Sequence, residues 1–156
     1  MITSIIKGDL IKLFEETDEI AIAHGCNAFN MWDSELSGNI KKVAEKAYIA
    51  DISTIRGQRL KLGTFTVVEI GRKKIFNLYI SYDYRKTDRV NVDYNALESA
   101  IKALNDYLAI NKIKTVYIPK LGTGSGNGDW DRITSIINQN TPTIDVIVVE
   151  YNKENN

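Results

Sequence analysis

Residues 119–133 read PKLGTGSGNGDWDRI. An apolar run, KTVYI, leads into the stretch, and a helical pattern over about 129–139 leaves it. Four glycines fall within seven residues, Gly122 to Gly128. Without Cβ atoms they allow positive φ and can gather several backbone N–H groups in one concavity. A phosphate at the N-terminus of the next helix would complete such a cradle. The alternative is a flexible or tight loop that holds no ligand. The stretch is not a P-loop, because no Gly-Lys-Ser/Thr ending follows. It has G-x-G-x-G spacing, but it lies near the C-terminus. A dinucleotide fingerprint follows the first strand of its unit.

Working outward, strands and helices alternate. ITSIIKG reads as a first strand, LIKLFEE as a short helix and IAIAHG as a strand covered on both faces. A second helix is expected over about 36–48, with Ile40, Val43, Ala44 and Ala47 at helical spacing. GTFTVVEIG and KKIFNLYIS flank Gly71-Arg72-Lys73, a hairpin signal, and YDYRKTDRVNV is loop-like. DYNALESAIKALNDYLAI is the clearest helix, with Asp93 as its cap and Leu97, Ile101, Leu104 and Leu108 as one stripe. KTVYIPKLG and IDVIVVEY are further apolar strands. This order predicts an α/β fold with three α/β/α layers and a mixed, mostly parallel central sheet. One domain is expected over 1–152, with a frayed tail at 153–156. Ligands of such sheets bind beyond the C-terminal strand ends, which here means loops 25–38 and 121–130.

Composition narrows the function. Lys plus Arg and Asp plus Glu both number 20, so the formal charge is zero and a general nucleic-acid binder is not supported. One cysteine, Cys26, excludes an internal disulfide and fits a reducing compartment. One histidine, His24, leaves no Cys/His cluster for zinc, so neither metal nor cofactor is expected. No signal peptide or membrane span is visible, and a cytoplasmic location is expected, the host cytoplasm if the protein is viral. The oligomeric state stays open.

In the first loop, GCNAFNMWDSELSGNI (25–40), the amides of Asn27 and Asn30 could bind ribose hydroxyls or simply make turns. His24 could serve as a general acid or base, or be a satisfied strand-edge histidine. Asp9 could cap the first helix, or accept from an adenine amino group. Tyr151 could stack on a base or pack.

KGDL (7–10), AHGCNAFN (23–30), AYIAD (47–51), LGTFTVV (62–68) and PKLGTGSGNGDWDRI together resemble a macro domain. The branch is that of ADP-ribose-1''-phosphate phosphatases and ADP-ribosyl-glutamate hydrolases, with phage and bacterial members. The resemblance implies ADP-ribose or ADP-ribose-1''-phosphate as ligand. Asp9, with Leu10 and Tyr151, would serve the adenine end. Asn27 and Asn30 would lie near the distal ribose. Gly122, Thr123, Gly124, Ser125 and Gly126 would wrap the diphosphate. In the phosphatase reading His24 is the acid/base and Asn30 positions the ribose phosphate. A module that binds without turnover is the alternative. Two departures from the family stand out, one before the second helix and one at the hydrolases' lysine and acid. Asp33 and Glu35 stand where the family carries glycines before the second helix. A carboxylate about 5 Å from a phosphate charge, at an effective dielectric of about 20, would repel it by roughly 3 kcal/mol. A third reading follows, in which this altered pocket acts through another ligand or partner. The lysine of the hydrolases is replaced near Tyr82, and their acid falls near Gly126.

Overall fold

A computed structural model describes residues 1–151. The tail expected to fray, 153–156, lies outside the described residues. The strands are β1 (Ile2–Gly8), β2 (Glu19–Asn27), β3 (Phe65–Ile70), β4 (Arg72–Ser81), β5 (Thr115–Ile118) and β6 (Asp145–Tyr151). The helices are α1 (Leu10–Glu16), α2 (Glu35–Val43), α3 (Glu45–Ile52), α4 (Tyr94–Ile110) and α5 (Trp130–Asn140). The six strands form one sheet in the order β1-β6-β5-β2-β4-β3. All neighbours are parallel except β3 and β4, whose antiparallel pairing closes at Ile70–Lys73. Gly71 adopts φ 61° in that turn, a conformation that costs glycine least.

Strand β2 shows how the layers arise. Its apolar run is buried from Ile20 to Ala23 because both faces are covered. Ala21 and Ala23 pack into the cluster built on Leu97, Ile101 and Leu104 of α4 and on Ile133 and Ile137 of α5. Ile20 and Ile22 pack with Leu10, Phe14, Ile40 and Ala47 of α1, α2 and α3. Full burial of each leucine or isoleucine contributes about 1.5–3 kcal/mol at most. Asp93 caps α4 by accepting from the Ala96 amide at 3.0 Å, as its sequence predicts.

The single helix expected over 36–48 is two. It breaks at Ala44 (φ −147°, ψ 67°), whose amide closes α2 on the Ile40 carbonyl and whose carbonyl opens α3 to the Ala47 amide. Ile40, Ala44, Ala47 and Asp51 are all buried. Their spacing of four, three and four keeps the helical period running through the bend, so the pattern does not mark the break.

Chain connections from β2 run to one side of the sheet, toward β4 and β3. Those from β5 run to the other, toward β6. The loops after β2 and β5 therefore part at neighbouring strand ends and leave a crevice between them, where ligands of open α/β sheets bind.

Candidate functional site

The loop after β5 is held open by residues outside it. Gly122 sits at φ 74°, and its carbonyl accepts from the Gly128 amide at 2.7 Å. A Cβ on Gly126 would lie 2.5 Å from that same carbonyl oxygen. Gly126 accepts in turn from the Asn91 and Val92 amides, at 2.7 and 3.0 Å. The Asn91 side chain donates to the Ser125 carbonyl at 2.9 Å and to the Lys86 carbonyl at 2.6 Å. Asn127 donates to the Arg89 carbonyl at 2.9 Å. Thr123 spends its hydroxyl on the Lys120 carbonyl. Among the described residues, the amides of Gly122, Gly124, Ser125 and Gly126 donate to no protein acceptor. A Cβ on Gly124 would meet nothing within 4 Å, so the loop borders open space there. Uncommitted amides on a bent, anchored backbone are the donor set an anion needs.

The loop after β2 is held by its own side chains. Asn27 accepts from the amides of Phe29 and Met31 and donates to the Met31 carbonyl, the turn-making role. Asn30 adopts φ 58° and accepts from Lys61 Nζ at 2.8 Å. Ser34 caps α2, accepting from the Ser37 amide at 3.1 Å. Glu35 occupies the first turn, where its charge suits the helix dipole. Asp33 accepts a hydrogen bond from the Tyr84 hydroxyl.

Beneath this loop lies a buried polar cluster that the sequence does not announce. Trp32 Nε1 and the Tyr79 hydroxyl each donate to Asp51 at 2.7 Å, one to each carboxylate oxygen. Lys61 donates to the Ala28 carbonyl at 2.9 Å as well as to Asn30, and burial lowers its pKa. His24 Nε2 donates to Asn77 Oδ1 at 2.7 Å. The Asn77 amide donates to the Ala47 carbonyl and to Thr66 Oγ1, both at 2.9 Å. Among the described residues no buried side-chain polar atom lacks a partner. Burial pushes the pKa of His24 down to about 4. His24 is 1% exposed and lies behind Cys26 and Trp32, which do line the crevice. The sequence offers His24 for acid/base work on a ligand, and this placement holds it instead as a satisfied core histidine. Asn30, expected beside the ribose phosphate, has its side-chain oxygen turned to Lys61.

Three cavities run in a row along the crevice. The widest, ≈ 780 Å³, is lined by Asp9, Leu10, Tyr151, Glu35, Leu36 and Lys120 among others. Asp9 caps α1 through Oδ1, which accepts from Ile11 at 2.9 Å, and its Oδ2 takes no bond from the described residues. The next cavity, ≈ 280 Å³, shares Leu36, Pro119 and Lys120 with the first and continues along Leu121–Gly126 to Asn27 and Tyr84. The last, ≈ 50 Å³, is lined by Asn27, Trp32, Asp33 and Tyr84 among others. The structure therefore brings together Asp9, Leu10, Asn27, the 122–126 loop and Tyr151, and leaves His24 and Asn30 off the cavity walls. Lys120 is a residue that sequence reasoning passed over inside its own motif. It borders both larger cavities, and its Nζ lies 2.9 Å from Glu150, whose carboxyl it holds below the usual range. No group of acids, histidines and cysteines among the described residues could hold a metal ion. None of the described helices is long and apolar enough to cross a membrane.

This architecture has relatives. An uncharacterised 17.5 kDa protein from the tk-vs intergenic region of Enterobacteria phage T4 is 34% identical over 97% of both chains. The macrodomain of Mycobacterium tuberculosis DarG superposes with a TM-score of 0.72 at 19% identity, over 93% of this chain and 96% of that one. Thermosipho africanus DarTG, solved in complex with ADP-ribose, superposes with a TM-score of 0.73 at 11% identity, over 97% of this chain and 42% of that longer one. The Macro domain family model matches residues 23–137, and the chain belongs to the macro domain family.

Proposed function

We propose that the crevice binds ADP-ribose, with adenine in the wide cavity and the diphosphate against residues 122–126. Asp9 Oδ2 is free to accept from the adenine amino group, and Leu10 and the half-exposed Tyr151 offer apolar surface to the ring. The observation that carries the reading is the set of four uncommitted amides at Gly122, Gly124, Ser125 and Gly126, beside the N-terminus of α2. Lys120 supplies the cationic side chain at the junction of the two larger cavities.

Hydrolysis of the terminal phosphate of ADP-ribose-1''-phosphate is the finer reading, with His24 as acid/base and Asn30 as positioning group. Burial of His24 and the Lys61 bond of Asn30 weigh against it, so we favour binding without turnover. Lysine-dependent transfer chemistry has even less to work with. Tyr82 donates its hydroxyl to the Gly57 carbonyl, and Gly126 brings no acid. Calorimetric titration with ADP-ribose tests the proposal. Saturation at micromolar ligand supports it, and no heat at millimolar ligand removes it. Phosphate release from ADP-ribose-1''-phosphate, lost in His24→Ala, would restore the enzyme reading.

A further inference from the structure

The crevice narrows toward its far side. Its two smaller cavities share Gly25, Cys26, Asn27, Ser34, Tyr84 and Ser125, and the smaller alone includes Asp33 and Trp32. Tyr84 and Asp33 join across this junction through the hydroxyl-to-carboxylate hydrogen bond. The chamber behind them is ≈ 50 Å³. It is the smallest of the three cavities along the crevice, against ≈ 280 Å³ and ≈ 780 Å³ for the other two. The wall of this narrow end carries an acid, Asp33.

Tyr84 is well placed to hold that acid. Its loop is tied to the glycine-rich loop, because the Asn91 amide reaches the Tyr84, Lys86 and Ser125 carbonyls. The bond to Asp33 raises the Tyr84 pKa to about 12, further above the neutral range in which a tyrosine hydroxyl is already a donor. The nearby Arg85 guanidinium is engaged elsewhere, on Asp83 at 2.8–2.9 Å. The Asp33 charge is thus left without a cationic partner among the described residues.

We propose that Asp33, held by Tyr84, selects ligands by their far end: it admits a nucleoside diphosphate that ends in a neutral sugar and rejects one that ends in a second phosphate. The proposal rests on the ADP-ribose reading and sharpens it. A terminal phosphate at the wall meets a carboxylate, whereas a ribose hydroxyl can donate to it. The pair lies partly in solvent, so the discrimination is moderate, about five- to tenfold.

The test is a set of calorimetric titrations with ADP, ADP-ribose and ADP-ribose-1''-phosphate at low ionic strength. The wild type is expected to bind ADP-ribose about five- to tenfold more tightly than its 1''-phosphate. Asp33→Asn is expected to bring the two within about twofold. Tyr84→Phe keeps the charge but releases it, and should relax the preference by about two- to threefold. Wild type and Asp33→Asn with the same ratio of affinities would overturn the proposal while leaving the ADP-ribose reading intact. Tyr84→Phe with unrelaxed selectivity would remove Tyr84 and with it the held-wall account. Wild type that binds ADP but prefers the 1''-phosphate would also overturn it. Failure of the wild type to bind ADP-ribose at all would sink both readings. Circular dichroism of each variant confirms that affinity, not folding, is being compared.

Discussion

The two loops that flank the crevice solve opposite problems. The loop after β5 is anchored from outside, through Asn91, Asn127 and a glycine contact, and leaves four amides unspent. The loop after β2 is anchored from within, through Asn27 and Ser34 and through Trp32 to Asp51, and its polar groups are largely satisfied. One is a donor surface waiting for charge. The other brings charge of its own, on Asp33 and Glu35. A helix start filled by its own acids and an anchored backbone left empty are different devices at neighbouring strand ends.

Breaking the root of the β2 loop should have the largest effect. Asp51→Ala leaves Trp32 Nε1 and the Tyr79 hydroxyl without their acceptor and removes the charge facing Lys61. A loss of about 3–5 kcal/mol is expected in urea unfolding. Preserved stability would show that the cluster is incidental. Acid probes the same root through His24. Its folded pKa of about 4 lies below the unfolded value of about 6.5, so the unfolded chain binds the extra proton first. Stability is therefore full above pH about 6.5 and falls by about 3 kcal/mol as pH drops to about 4. His24→Gln, which keeps a donor for Asn77, should flatten that part of the pH profile. An unchanged slope would assign the titration to other groups.

The β5 loop is probed by paired glycine substitutions. Gly126→Ala drives a Cβ onto the Gly122 carbonyl and should cost about 1–3 kcal/mol, with weakened ADP-ribose binding. Gly124→Ala meets open space and should stay within about 0.5 kcal/mol of wild type. Equal costs at the two positions would mean that the loop is not held as described. The smallest effect is expected at the rim. Glu35→Gln should tighten ADP-ribose binding about three- to tenfold by removing a carboxylate from the crevice wall. Unchanged affinity would mean that Glu35 points its charge to solvent.

Much of this was legible in the residues. The period of the α4 stripe, the Asp93 cap and the Gly71 turn fix three elements by local chemistry alone. The order of apolar strands and helices fixes the layers, and the five motif pieces identify the family. What stayed hidden depends on contacts far apart in sequence. The Ala44 break preserves helical spacing, so periodicity runs through it. Asp51 lies beyond the helix expected over 36–48 with no local sign of its partners, and only the fold brings Trp32 and Tyr79 to it. Nothing around Lys61 in KLG marks it as buried, yet it is 6% exposed. Asn91 lies in a polar stretch with no local signal, and it is the residue that ties that stretch to the glycine-rich loop. The placement of His24 was undecided from its neighbours, because a strand covered on both faces does not say which polar group waits beside it. Asn77 settles it.

Central to this account is that the amides of the β5 loop, rather than the side chains of the β2 loop, receive the ligand's charge. An amide ¹H–¹⁵N correlation titration with ADP-ribose tests it most directly. Large shifts confined to Gly122, Gly124, Ser125 and Gly126, with small ones at Phe29 and Met31, are predicted. Saturating ligand that leaves those four amides unmoved would contradict it.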